Sequence, residues 1–140
     1  MDLQGKKILV IGGSSGIGFG AAKAALEAGG LMTIASRSKA KIDAAVSRLG
    51  SGAVGEVLDT TDEADIEAFF AKYGVFDHVV VSVANTKVAA VRELPLADAY
   101  ASVNSKFWGA YRIARAARIA DGGSLTFVSG NAPTTLPACR

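Results

Sequence analysis

The chain has 140 residues, of which half are hydrophobic, with a formal net charge of +2 and a single cysteine, Cys139. That length suits one domain with a real core. The near-neutral charge gives no pull toward nucleic acid or an anionic membrane, and one cysteine excludes an internal disulfide or a cysteine metal cluster. A reducing, cytoplasmic setting is the simplest expectation. The first residues, Met1-Asp2-Leu3-Gln4-Gly5-Lys6-Lys7, do not read as a secretory signal, and no apolar run reaches the length of a membrane span.

The chain reads as alternating strands and helices. Ile8 to Ile11 is a continuous apolar run, suited to a strand covered on both faces. Glycines follow, and then Phe19, Ala21, Ala22, Ala24, Ala25 and Leu26 favour a helix from about Gly16 to Ala28. Strand two is expected at Leu31 to Ser36, and helix two at Lys39 to Leu49 behind an N-cap at Ser38. Strand three is expected at Ala53 to Leu58. Asp59 to Asp62 forms a loop that caps helix three, Glu63 to Lys72, with Ile66, Phe69 and Phe70 facing inward. Strand four covers Asp77 to Val83. Pro95 opens the longest helix, Leu96 to Ala120, and Gly122-Gly123 breaks it before strand five, Ser124 to Val128. Such alternation predicts an α/β three-layer, doubly wound Rossmann fold: a parallel sheet in the order 3-2-1-4-5, ending after strand five. Residues 1–130 are expected to make one domain, and 131–140, with Pro133 and Pro137, an irregular tail.

The glycine turn carries the functional signal. A helix N-terminus presents free N–H groups and a positive dipole end, which suits a phosphate. Gly16-x-Gly18-x-x-Ala21 fits one form of the dinucleotide pattern. Gly12-x-x-x-Gly16-x-Gly18 fits another and is preferred, because strand one ends at Gly12. The run Gly5 to Gly18 resembles the opening of the short-chain dehydrogenase/reductase family. Its signature is Thr-Gly-x-x-x-Gly-x-Gly, and only Ile11 departs from it. The resemblance implies that the backbone around Ser14, Ser15 and Ile17 holds the pyrophosphate of a nicotinamide dinucleotide.

About twenty residues past the glycines, such folds meet the adenosine ribose. An acidic residue there would favour NAD. Here the stretch is Ser36-Arg37-Ser38, with a guanidinium able to pair with a 2′-phosphate. NADP(H) is therefore the expected cofactor, and Ser-Arg at this point resembles the NADP-preferring members. The alternative is that Arg37 is an ordinary loop cation. By the same resemblance Asp59 and Thr60 meet the adenine, although Asp59 could be only a turn former.

The chemistry-bearing motifs are mostly absent. After strand four the family has Asn-Asn-Ala-Gly, and this chain has Val81-Ser82-Val83-Ala84 with Asn85 just beyond, so the fold position is kept but the motif is not; by the resemblance Val83 and Ala84 are expected to meet the cofactor. Three residues before Gly109 the family has Asn, and this chain has Lys106, which could equally be a surface lysine. At the end of strand five the catalytic serine position falls on Gly130, with Ser129 beside it. The family's proton-transfer pair is Tyr-x-x-x-Lys, in which lysine lowers the tyrosine pKa. Neither Tyr73, Tyr100 nor Tyr111 has a lysine four residues on. No catalytic set is intact, and Lys106 and Ser129 are weak candidates. His78 lacks a triad pattern, and no metal-ligand spacing exists. Arg112, Arg115 and Arg118 read as a solvated helix face.

An active NADP(H)-dependent oxidoreductase fits the lineage but lacks the proton-transfer residues, and two other functions follow as expectations. One is a nucleotide-binding, non-catalytic member of an oxidoreductase lineage that interconverts alcohols and ketones. The other is a non-enzymatic, oligomerising module with a vestigial nucleotide pocket. A homo-oligomer is expected through helix 96–120. There Leu96, Tyr100, Val103, Phe107, Ala110, Ala114 and Ala117 form a seam suited to the sheet, with Trp108 and Tyr111 about 100° away.

Overall fold

The computed structural model describes residues 2–83 and 85–130. Five parallel strands form one sheet in the order β3-β2-β1-β4-β5. They are β1 (Lys7–Ile11), β2 (Leu31–Ser36), β3 (Ala53–Val57), β4 (Phe76–Val81) and β5 (Ile119–Phe127). Helices α1 (Gly16–Glu27), α2 (Lys39–Leu49), α3 (Glu63–Tyr73), α4 (Leu96–Val103) and α5 (Gly109–Ala116) join them. The doubly wound order expected from the alternation is the observed one.

The two sheet faces explain the apolar runs. Leu9 and Ile11 point toward α3 and α5, where they meet Ile66, Phe69, Phe70 and Ile113. Ile8 and Val10 point the other way, toward Ala22 of α1 and Ile42 and Ala45 of α2. Because successive strand residues alternate faces, a strand between two helical layers must be apolar at every position. Full burial of each such large side chain contributes roughly 1.5–3 kcal/mol. Ser38 and Asp62 cap α2 and α3 through their side chains, accepting from Lys41 N at 3.3 Å and from Ala64 N at 3.0 Å.

The segment from Leu96 departs from expectation. It is not an α-helix to Ala120. Residues Asn104–Trp108 form a π-turn between α4 and α5, and the helix stops at Ala116, with Ala117 extended. Ile119 and Ala120 belong to β5. Arg118 O accepts from Phe76 N at 2.9 Å, which draws the chain into the sheet that early. Gly122-Gly123 lies inside β5, at a register slip opposite the stretch between Phe76 and His78. Pairing with β4 outweighs the helix propensity of Ile119 and Ala120.

The expected seam is also corrected. Leu96, Tyr100, Val103 and Phe107 are exposed, whereas Ser105, Gly109 and Ile113 are buried. The helix approaches the end of β3 closely: a Cβ on Gly109 would lie 3.3 Å from Thr60 Oγ1. Such an approach admits only small residues at the contact, so the small face turns inward and the aromatic face outward. At the sheet margins, β4 ends at Val81, which leaves Val83 outside the strand, and β3 ends at Val57.

Candidate nucleotide-binding site

Two clefts open at the carboxyl ends of the strands, on either side of the β1/β4 boundary where the chain reverses its direction of winding. The first, of about 330 Å³, is lined by Gly12, Ser14, Ser15, Gly16 and Ile17 of the glycine turn, by Ser36, Arg37, Ser38 and Lys41, and by Leu58, Thr60, Ser82 and Val83. Ligands bind at such reversal points in open α/β sheets, because the flanking loops part there.

The glycine turn is built by backbone geometry. Gly12 has φ +86°, and a Cβ there would stand 2.5 Å from the Ser82 carbonyl oxygen, so the turn lies directly against the end of β4. A Cβ on Gly18 would collide with the Gly12 carbonyl, so α1 can begin against the turn only with glycine there. Gly16 has φ +56° with nothing within 4 Å of its missing Cβ. That open side is where an anion can meet the amino end of α1. Ser15, the N-cap, makes no side-chain cap bond, which leaves its hydroxyl available.

Beside the glycine turn, Ser36 Oγ lies 3.3 Å from Ser14 Oγ and accepts from Ser38 N at 3.4 Å. These contacts tie the glycine turn to the end of β2. Arg37 is exposed and forms no ion pair among the described residues. Lys41 adds a second cation that sequence reading missed. Its signal was position: it stands three residues after the Ser38 N-cap, in the first turn of α2, and that turn faces the cleft.

Thr60 is buried and lines the cleft. Asp59 is a turn former in this structure: Oδ1 accepts from Thr61 N at 2.9 Å and from Thr61 Oγ1 at 2.7 Å. The Thr61 N–H and hydroxyl hold its carboxyl below the usual value, with weaker help from Arg37 and Arg112. Ala84 lies outside the described residues, as does the tail 131–140.

The second cleft, of about 460 Å³, shares Thr60 and Val83 with the first. It runs beneath the π-turn. Lys106 reaches across its mouth, donating to Val128 O at 2.8 Å and weakly toward Val83 O at 3.5 Å. Its ammonium thus spans the carboxyl ends of β4 and β5. This is not a freely solvated surface lysine: the side chain is part-buried. Ser129 also lines this cleft.

The described tyrosines are poorly suited to acid chemistry here. Tyr73 lines neither cleft, and its hydroxyl donates to Glu56 at 2.6 Å. Burial and that carboxylate push its pKa up to about 12. Tyr100 and Tyr111 are exposed on the outer helix face. His78 Nδ1 lies 2.9 Å from Ser124 Oγ across two strands, away from both clefts.

A family model for short chain dehydrogenases matches residues 6–133. The chain belongs to that family. An uncharacterized oxidoreductase of Mycobacterium tuberculosis is 31% identical over 138 residues, covering 91% of this chain and 51% of the relative. The short-chain dehydrogenase/reductase fsr5 of Gibberella fujikuroi is 41% identical over 93 residues, covering 56% of this chain and 35% of that protein. Among solved structures, a short chain dehydrogenase/reductase family protein superposes with a TM-score of 0.79 at 26% identity, over 84% of this chain and 50% of its own. A 3-ketoacyl-(acyl-carrier-protein) reductase from Brucella melitensis, complexed with NADH, gives 0.73 at 28% identity, over 81% and 49%. The chain spans about half the length of the curated M. tuberculosis relative it matches. Among the described residues no helix is long and apolar enough to cross a membrane.

Proposed function

We propose that this chain binds NADP(H) in the first cleft, as the cofactor-holding part of an alcohol/ketone oxidoreductase lineage. These 140 residues hold no Tyr-x-x-x-Lys and do not themselves catalyse carbonyl reduction. The observation that carries the reading is one cleft lined both by the open glycine turn and by Arg37 and Lys41. Gly12, Ser14, Ser15, Gly16, Ile17 and Gly18 shape the pyrophosphate end, and Ser36, Arg37 and Ser38 the ribose end. The nicotinamide cofactor, when bound, supplies the hydride. The chain's residues bind and orient it, with Thr60 and Val83 as the wall between the clefts. A titration with NADPH and NADH tests the reading, and tighter NADPH binding is expected.

Purified chain should show no measurable NADPH consumption with a panel of ketones. A positioned general acid contributes about a hundred- to ten-thousandfold, and no tyrosine among the described residues lines either cleft to supply it. A robust ketone-dependent rate, abolished when Gly16 is made bulky, would show that another residue delivers the proton.

The reading includes a two-fold homodimer through the helix Leu96–Ala116. Its outer face carries an aromatic ladder: Phe107 meets Trp108 edge-to-face at 5.1 Å between ring centroids, and Trp108 meets Tyr111 at 5.8 Å. Exposed aromatics beside arginine are what interface centres favour, and two-fold pairing is the commonest solution. Wild type should sediment as a dimer at micromolar concentration, and Trp108→Glu as a monomer. A monomeric wild type would refute the dimer. The same ladder favours the second reading, an oligomerising module without turnover, which a failure to bind either dinucleotide would favour in turn. A cytoplasmic setting goes with both, supported by the lone cysteine.

A further inference from the structure

The second cleft is apolar, yet it holds a cation. Among the described residues Val81, Val83, Phe107, Ala110, Ile113 and Phe127 line it and no aspartate or glutamate does. Among them too, Lys106 is the one charged lining residue, and it forms no ion pair. The π-turn Asn104–Trp108 carries this lysine. Such single-turn insertions re-aim side chains, often at functional sites. An ammonium has three donors. The Val128 carbonyl takes one and the Val83 carbonyl partly takes a second, both at the cleft's mouth. At least one N–H remains.

From this geometry we propose that the second cleft binds an apolar monocarboxylate, with the carboxylate on Lys106 and the hydrocarbon body against Ala110 and Phe127. Charge complementarity selects the occupant. A part-buried cation without a counter-ion leaves unmet Coulomb attraction in a low-dielectric setting, and an anion with an apolar body meets it while covering the walls. A neutral alcohol of equal length covers the same walls and leaves the charge uncompensated. A small anion such as acetate pairs with the charge and leaves the walls wet. The volume of about 460 Å³ lies within the usual range for small-molecule sites. The backbone carbonyls hold Lys106 in place, so little side-chain entropy is lost on binding. The inference rests on the second cleft alone and does not require a nucleotide in the first.

Octanoate, octanol and acetate are the probes, titrated into the isotopically labelled full chain without cofactor and followed by NMR. Octanoate should bind saturably, about tenfold or more tighter than either of the others, since a charge-assisted contact of this kind is worth at least that ratio. Shifts should centre on Lys106 and on the amides of Ala110, Phe127 and Ser129. Lys106→Met should bind octanoate and octanol alike, and Lys106→Arg should keep the preference for octanoate. Should Lys106→Met fail to fold, the wild-type ratio and shift map decide. Equal affinity for octanoate and octanol, absence of saturable octanoate binding, or shifts centred on Arg112, Arg115 and Arg118 instead would each overturn the proposal. A separate NADPH titration reports on the first cleft, so that failure of one site is not confused with failure of the other.

Discussion

Arg37→Asp is expected to change the ratio of NADPH to NADH affinity by about a hundredfold, and to favour NADH. A guanidinium paired with a phosphate makes charge-assisted hydrogen bonds, worth about 1.5–3 kcal/mol, and presents two parallel N–H donors to the phosphate oxygens. Removing it forfeits that interaction. The new carboxylate repels the 2′-phosphate and offers acceptors to the ribose hydroxyls of NADH instead. Arg37 is exposed, so solvent screens part of the effect and salt will reduce it. Lys41 lines the same end of the cleft and retains some attraction for the phosphate, so NADPH binding falls without vanishing. Dissociation constants for both nucleotides, in wild type and variant, check this. Equal constants in the wild type, or a ratio unmoved by the mutation, would remove Arg37 from the ribose site.

Gly18→Val is expected to unfold the domain or cost about 3 kcal/mol or more, a large part of an ordinary domain's stability. Gly18 is buried where α1 starts, and a Cβ there collides with the Gly12 carbonyl. Neither partner can yield, because one is helix backbone and the other is the turn pressed against Ser82. The first turn of α1 must then lift from β1, opening the core around Ala22. Gly16→Ala provides the contrast. Its Cβ meets nothing within 4 Å, and the cost is only the left-handed φ of +56°, about 1–2 kcal/mol. Yet that Cβ would stand on the open side of the turn, so NADPH binding should weaken at least tenfold while the fold survives. Urea unfolding of both variants and an NADPH titration of Gly16→Ala separate the effects. A Gly18→Val as stable as wild type contradicts the packing argument. A Gly16→Ala that binds NADPH undiminished takes the phosphate away from this turn.

Much of the architecture was already in the residues. Ile8 to Ile11 and the valines of β4 had to lie between two layers, because a strand with no polar face has nowhere else to go. Leu31–Ser36 and Lys39–Leu49 were legible to the residue, since glycine and a serine N-cap punctuate them locally. The glycine turn was legible because its requirements, a φ that only glycine accepts readily and a Cβ-free approach to β4, are written in residue type.

What sequence alone could not decide depends on partners distant in the chain. Ile119 and Ala120 favour helix locally, and pairing with β4, opened by the hydrogen bond from Phe76 N to Arg118 O, draws them into β5. The aromatic seam at Leu96, Tyr100, Val103 and Phe107 looked like a core face by spacing. The proximity of Thr60 to Gly109 turned a small face inward instead, because packing distance rather than hydrophobicity limited the contact. Lys41 joins the nucleotide cleft because the first turn of α2, set by the Ser38 N-cap, faces the ends of β1 and β2. Lys106, by sequence a weak catalytic candidate or a surface lysine, became a cation held between β4 and β5, because the π-turn directs it there and the carbonyls at the two strand ends lie within its reach.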